Sequence, residues 1–244
     1  MNEMLQRDKN PFLCHMQTIY YPIILGIMDK TVAKIKKCDI LNPEKIVEGV
    51  LMYKLCKTEQ SAKRQRELER GLLAAMNSHQ YEEISVSDLC DQMGIPRKSF
   101  YRYFSSKDGA LHALIDHTLL EYESFSVPLK TGEKRTYQTD LERFFRFWKE
   151  QKPLLDALAR SGISGVLVTR SIDHALSDAG APTRFLPQDE RIAREHATMF
   201  GVCGLMSMVL NWHQSGYSLS ERQMAAIGVQ LLTKPLFADL DKYY

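Results

Sequence analysis

The sequence predicts an all-α protein, with a small helix-turn-helix head, a larger helical body and a helical extension ahead of both. Three observations carry this expectation. Apolar residues recur at helical spacing in almost every periodic segment, and strict strand-type alternation is nearly absent. Ser85, Ser105-Ser106 and Ser220 stand where helix N-caps belong, and Gly94 where a helix must stop. The 244 residues allow one to two domains, and 44% hydrophobic with 25% charged residues is ordinary for a soluble globular chain.

Residues 1–60 read as the extension. Residues 17–37 can form one helix with Pro22 in its first turns, and Asn42-Pro43 opens another through about Lys57. Ile46, Val47, Val50, Leu51 and Leu55 give the second an apolar face. Either these helices pack on the body or a partner, or translation starts downstream, at Met28 or Met52.

Residues 61–122 read as the head. A helix over 63–78 carries Leu68, Leu72, Leu73 and Met76 on one side and begins with the basic run Lys63-Arg64-Gln65-Arg66. Ser85 caps the next, with Asp88 completing a capping-box-like pair, and Val86, Leu89, Cys90 and Met93 build its buried face. Gly94 tolerates the left-handed turn that follows, and Ile95 plugs the angle between helices. Pro96 suits a helix start, so a helix runs from Arg97 to about Phe104, with Phe100 and Phe104 facing inward. Ser105-Ser106 caps a fourth helix to about Phe125, carrying Leu111, Leu114, Ile115 and Leu119.

A break over 126–139, with Pro128 and Gly132, sets off the body, residues 123–244. Residues 140–149 form an aromatic helix with Leu141, Phe144, Phe145, Phe147 and Trp148. Pro153 starts another with Leu154, Leu155, Leu158 and Ala159, which is interrupted at 161–165 and resumes to about Leu176. Residues 177–187 form a loop, 189–215 a long helix apolar nearly all round after Met199, and 220–232 the last helix.

Composition limits the function. A net charge of only +2 means that attraction to nucleic acid must come from local charge. Five scattered cysteines (Cys14, Cys38, Cys56, Cys90, Cys203) without a CxxC pair argue against a disulfide framework or zinc knuckle and fit a reducing cytoplasm. The apolar run 19–28 is too short for a bilayer, and Glu3 and Asp8 leave no basic region for a signal peptide. Catalytic patterns are missing: the histidines make no HExxH, residues 161–165 lack GxSxG spacing, and no GxGxxG or phosphate loop occurs. His112 and His117, five apart, read as surface or interface residues rather than a metal pair. The expectation is therefore a non-enzyme with no cofactor and no metal.

The most informative stretch is 84–107, in which no acidic residue follows Asp91 and basic, hydroxyl and aromatic groups share a short helix. Its residues Ile84-Ser85-Val86, Gly94-Ile95, Ser99-Phe100-Tyr101-Arg102-Tyr103-Phe104 and Ser106-Lys107-Asp108 resemble the tetracycline-repressor (TetR) family of bacterial transcriptional regulators over about 63–115. The segment from Phe144-Phe145 to Leu158, and Trp212 with Gly216-Tyr217, are similar to one C-terminal type in that family. Residues 1–60 have no counterpart in the usual family layout, and Pro96 stands where members often carry a serine cap.

The resemblance implies that Arg97, Lys98 and Ser99 meet base edges in the major groove, that Tyr101, Tyr103 and Lys107 meet phosphates, and that Ser85 joins the DNA-binding set. A symmetric homodimer would place two such helices on double-stranded DNA. Residues 199–212, with Gly201 and Gly204, and the last helix, with Met224, Ile227, Leu231 and Leu232, are the dimer elements. Phe144, Phe145, Trp148, Met199, Cys203 and Met206 are candidates for a small-molecule effector pocket. The fourth helix would be the lever between them. The expected function is a repressor of transcription released by an effector. The alternative is an activator or adaptor of the same fold that binds a protein partner and has no inducer.

Overall fold

The computed structural model describes residues 52–126, 136–183 and 187–233. The helices expected over 17–37 and most of that over 43–57 lie outside the described residues, as does most of the break over 126–139.

Nine α-helices make up most of the described chain, in agreement with the all-α expectation. The head holds α1 (Glu59–Met76), α2 (Val86–Gln92), α3 (Arg97–Tyr101) and the start of α4 (Lys107–Ser126). The body holds α5 (Tyr137–Glu150), α6 (Lys152–Arg160), α7 (Ser164–Thr183), α8 (Gln188–Gln214) and α9 (Glu221–Thr233).

Local chemistry explains where the head helices start and stop. α1 begins four residues before Lys63 because the Thr58 hydroxyl accepts the Ser61 N–H at 3.3 Å. Ser85 caps α2 as expected, accepting the Asp88 N–H at 3.1 Å. Gly94 takes φ +63°, and the Ile95 N–H then returns to the Cys90 carbonyl at 2.9 Å. Pro96 starts α3 without a side-chain cap. α3 is shorter than the expected 97–104 because the chain turns after Tyr101 and Phe104 pairs with Tyr53 in an antiparallel bridge.

That bridge overturns another expectation. Residues 52–58 do not continue a helix through Lys57; they form an extended strap across the head. Met52 O accepts the Ser105 N–H and the Ser105 hydroxyl, both at 2.9 Å, and the Lys54 N–H donates to Tyr103 O at 2.7 Å. Gln65 Nε2 donates to Lys54 O at 3.0 Å. The strap lies so close to α4 that a Cβ on Gly109 would sit 2.2 Å from Met52 O. Only glycine admits the strap there.

In the body, α7 packs along α8 and α9 along α5, while α4 touches α1, α5 and α7. The core is aromatic: Phe145, Phe147, Trp148 and Trp212 are buried, with Phe145 and Trp212 edge-to-face at 5.7 Å. α7 continues to Thr183, so part of the expected 177–187 loop is helical.

Polar pairs tie these helices together. Asp116 on α4 accepts Arg170 Nε and Nη2 from α7 at 2.8 and 2.5 Å, and the Tyr53 hydroxyl at 2.6 Å. Glu69 on α1 meets His117 Nδ1 at 2.9 Å, so this histidine is a half-buried tie between α1 and α4 and not a surface residue. Asp156 on α6 meets His213 on α8 at 2.7 Å.

Three tyrosines share one electrostatic condition. Burial first, then the Asp116 carboxylate for Tyr53 and the Asp108 carboxylate for Tyr81, push these phenols above their ordinary range. Burial and the charge on Asp156 push Tyr217 up to about 12. In the unfolded chain each ionises near about 10, so the unfolded state releases protons first as pH rises. Stability is full below that point and declines above it. Urea midpoints measured from about pH 9 to about pH 11 should fall steadily, and a flat profile would contradict these burials.

Candidate nucleic-acid interface

α3 stands on a rigid base. Phe100 and Phe104 are buried and 5.1 Å apart, as the inward-facing pair was expected to be. With Phe100 pointing in, Arg97 and Lys98 point to solvent, Ser99 is half-buried, and Tyr101 is 48% exposed with its ring edge-on to Phe100 at 5.6 Å. Arg102, outside the expected set, is exposed immediately after α3. Ser85 is exposed at the start of α2, where its hydroxyl donates to Asp88 Oδ2 at 2.5 Å.

Two residues expected on phosphates are placed otherwise. Tyr103 is only 8% exposed, packed 6.4 Å from Phe104 under the strap-bonded backbone. Lys107 turns inward: its ammonium lies 4.2 Å above the Tyr81 ring and donates to the carbonyls of Tyr81 and, at 2.7 Å, Ile84. Those carbonyls sit at the 3-10 turn Tyr81–Glu83, where no long helix uses them, so the lysine satisfies a loop that precedes α2.

The effector candidates do not gather in one place. Phe144, Phe145, Trp148 and Met206 are buried in the body core, with Phe144 and Phe145 rings 5.3 Å apart. Met199 is 41% exposed on α8, outside that core, and Cys203 is half-buried farther along the same helix. The indole N–H of Trp148 is buried with no hydrogen-bond acceptor among the described residues. Among the described residues no group of three or more His, Cys, Asp or Glu is placed to hold a metal, and no helix is long and apolar enough to cross a membrane.

Residues 72–114, from the second half of α1 to the first turns of α4, match the family model for bacterial regulatory proteins of the tetR family. The head is a tetR-family DNA-binding domain. No curated protein matches the chain. Among solved structures it is similar to the dihydroxyacetone kinase operon activator DhaS, with 16% identity over 69% of this chain and 93% of that one and a TM-score of 0.43. It is also similar to the fatty acid degradation regulator FadR from Bacillus halodurans, with 17% identity over 71% of this chain and 96% of that one and a TM-score of 0.42. Within the matched head, Arg97, Lys98 and Tyr101 occupy the solvent side of α3.

Proposed function

We propose that this protein is a cytoplasmic, homodimeric repressor of transcription that binds a palindromic operator and is released by a small molecule. The observation that carries the reading is the solvent side of α3. Arg97, Lys98 and Tyr101 on a helix fixed by buried Phe100, and Arg102 just after it, are exposed together, with no acidic residue from Pro96 to Lys107. A cationic, hydroxyl-bearing helix of this kind matches the acceptors of guanine in the major groove and the phosphates beside it.

The dimer rests on where apolar surface is left uncovered. Among the described residues, the exposed large hydrophobics other than Tyr101 are Ile192, Met199, Phe200, Ile227 and Leu231, all on α8 and α9. On α8, Phe200, Gly204, Ser207 and Asn211 form one exposed stripe, and a Cβ on Gly204 would meet nothing. A second copy of the same two helices suits that face. Met224 is buried against the body and does not belong to it.

The effector reading rests on the aromatic core around Trp148, whose unpartnered N–H offers a donor to a ligand acceptor. α4 would transmit the signal, because it belongs to the head at one end and packs on α5 and α7 at the other.

Selection of genomic fragments on the purified protein, followed by titration of a recovered duplex, tests the reading. Tyr101→Ala should weaken binding to all duplexes alike, while Arg97→Ala should cost about 1–3 kcal/mol at one base pair and relax the preference there. Binding that does not depend on salt, or that neither substitution changes, would remove α3 from the interface.

A further inference from the structure

We propose that the strap 52–58 is a second DNA-contacting element of the head, in which Lys54 donates to a backbone phosphate at the C-terminal end of the recognition helix. The inference rests on the reading of α3 as the groove helix.

Geometry brings the strap to the groove wall. α3 has five residues, about 7.5 Å of helix, against a major groove about 12 Å wide. The residues that follow it, Arg102 and Tyr103, therefore reach the phosphate-lined edge. The Lys54 N–H is bonded to Tyr103 O at 2.7 Å, which fixes Lys54 beside that edge.

The course of the strap turns both of its lysines outward. Tyr53 and Cys56 point into the head and are buried, Tyr53 on Asp116 and Cys56 on Gln65 Oε1 at 3.1 Å. Lys54 and Lys57 are exposed. No acidic residue occurs from Met52 to Thr58, and neither ammonium forms an ion pair among the described residues. The strap is held by backbone bonds to Tyr103 and Ser105 and by the Gln65 side chain on Lys54 O, so these amines are presented without the ordering cost of a loose arm.

The strap also accounts for a shortfall in the expected interface. Lys107 spends its ammonium on the carbonyls of Tyr81 and Ile84, so one expected phosphate donor is turned inward. Lys54 enters alongside the backbone of Tyr103. A flexible four-carbon stem carrying a point charge suits a phosphate, which needs no fixed angle of approach.

The test uses the full chain and a fluorescent duplex recovered by selection, titrated at several KCl concentrations. Lys54→Gln should weaken binding roughly three- to tenfold on matched and unmatched duplexes alike and reduce the salt slope by about one phosphate's share, near 0.9. Lys54→Arg should keep both. Because Lys54 is exposed, an unchanged melting curve should accompany the loss. If Tyr101→Ala loses affinity while Lys54→Gln keeps both affinity and slope, the strap contact is overturned and the recognition helix stands. If no duplex binds in a salt-dependent way, the reading of α3 itself fails. A Lys54→Gln loss confined to one base pair would also overturn the proposal, since a phosphate contact reads no sequence.

Discussion

Asp116→Ala should lower the unfolding free energy by about 3 kcal/mol. The carboxylate has three donors: the Tyr53 hydroxyl at 2.6 Å, Arg170 Nε at 2.8 Å and Arg170 Nη2 at 2.5 Å. Deleting it leaves the Tyr53 phenol without its acceptor and the Arg170 guanidinium with Asp173 Oδ2, at 3.2 Å, as its remaining carboxylate. Breaking a fully buried pair costs about 3–5 kcal/mol, chiefly through the charge left behind. The Arg170 side chain is 26% exposed, so water can reach part of it, which places the cost at the lower end. Tyr53→Phe removes one hydrogen bond and keeps the ring, and should cost only about 1 kcal/mol. Urea unfolding would show the first as a large midpoint shift at constant slope. A loss below about 0.5 kcal/mol for Asp116→Ala would mean that packing alone joins the strap, α4 and α7. The three residues come from the strap, the lever and the body. Their coupling in a double-mutant cycle would thus measure how firmly the head is held to the body.

What the sequence revealed, and what it hid, divides by distance along the chain. Ser85 capping α2, Gly94 stopping it, and the Phe100–Phe104 inward pair all depend on neighbours within a few residues, so spacing and residue type were enough. The burial of Tyr103 is not legible in the sequence because it accompanies a backbone pairing with Lys54, about fifty positions away, in a segment whose periodicity reads as helix. The inward direction of Lys107 is hidden for a related reason. Its place in the family pattern fixes where the residue sits, whereas its direction depends on carbonyls at Tyr81 and Ile84 that have no sequence signature. Met199 shows a third limit. α8 is apolar on more than one side, so period alone could not separate the residues facing the body, such as Met206, from those facing outward. The strap's Gly109 was equally silent, because a glycine that admits a passing backbone looks like any other in a helix.

Phe200→Asp should convert the proposed dimer to monomer at micromolar concentration and lower its affinity for a palindromic duplex by on the order of a hundredfold. Phe200 is the most exposed large hydrophobic among the described residues, at 57%, and points away from the body that α8 otherwise packs against. A monomer gains little from leaving a phenyl ring in water, but the proposed dimer would bury it on an apolar face with Gly204 one turn on. In the proposed dimer each copy would bring one such aspartate into the interface, so two carboxylates would be desolvated. The affinity loss follows from linkage. With two heads on one body pair, the second head binds at a high effective concentration, and that gain vanishes once the heads separate. The folded monomer itself should be unaffected, because an exposed ring contributes little to the core. Light scattering decides the first half of the prediction and duplex titration the second. A Phe200→Asp protein that stays dimeric would move the interface off α8 and leave Ile227 and Leu231 on α9 as the face to test next.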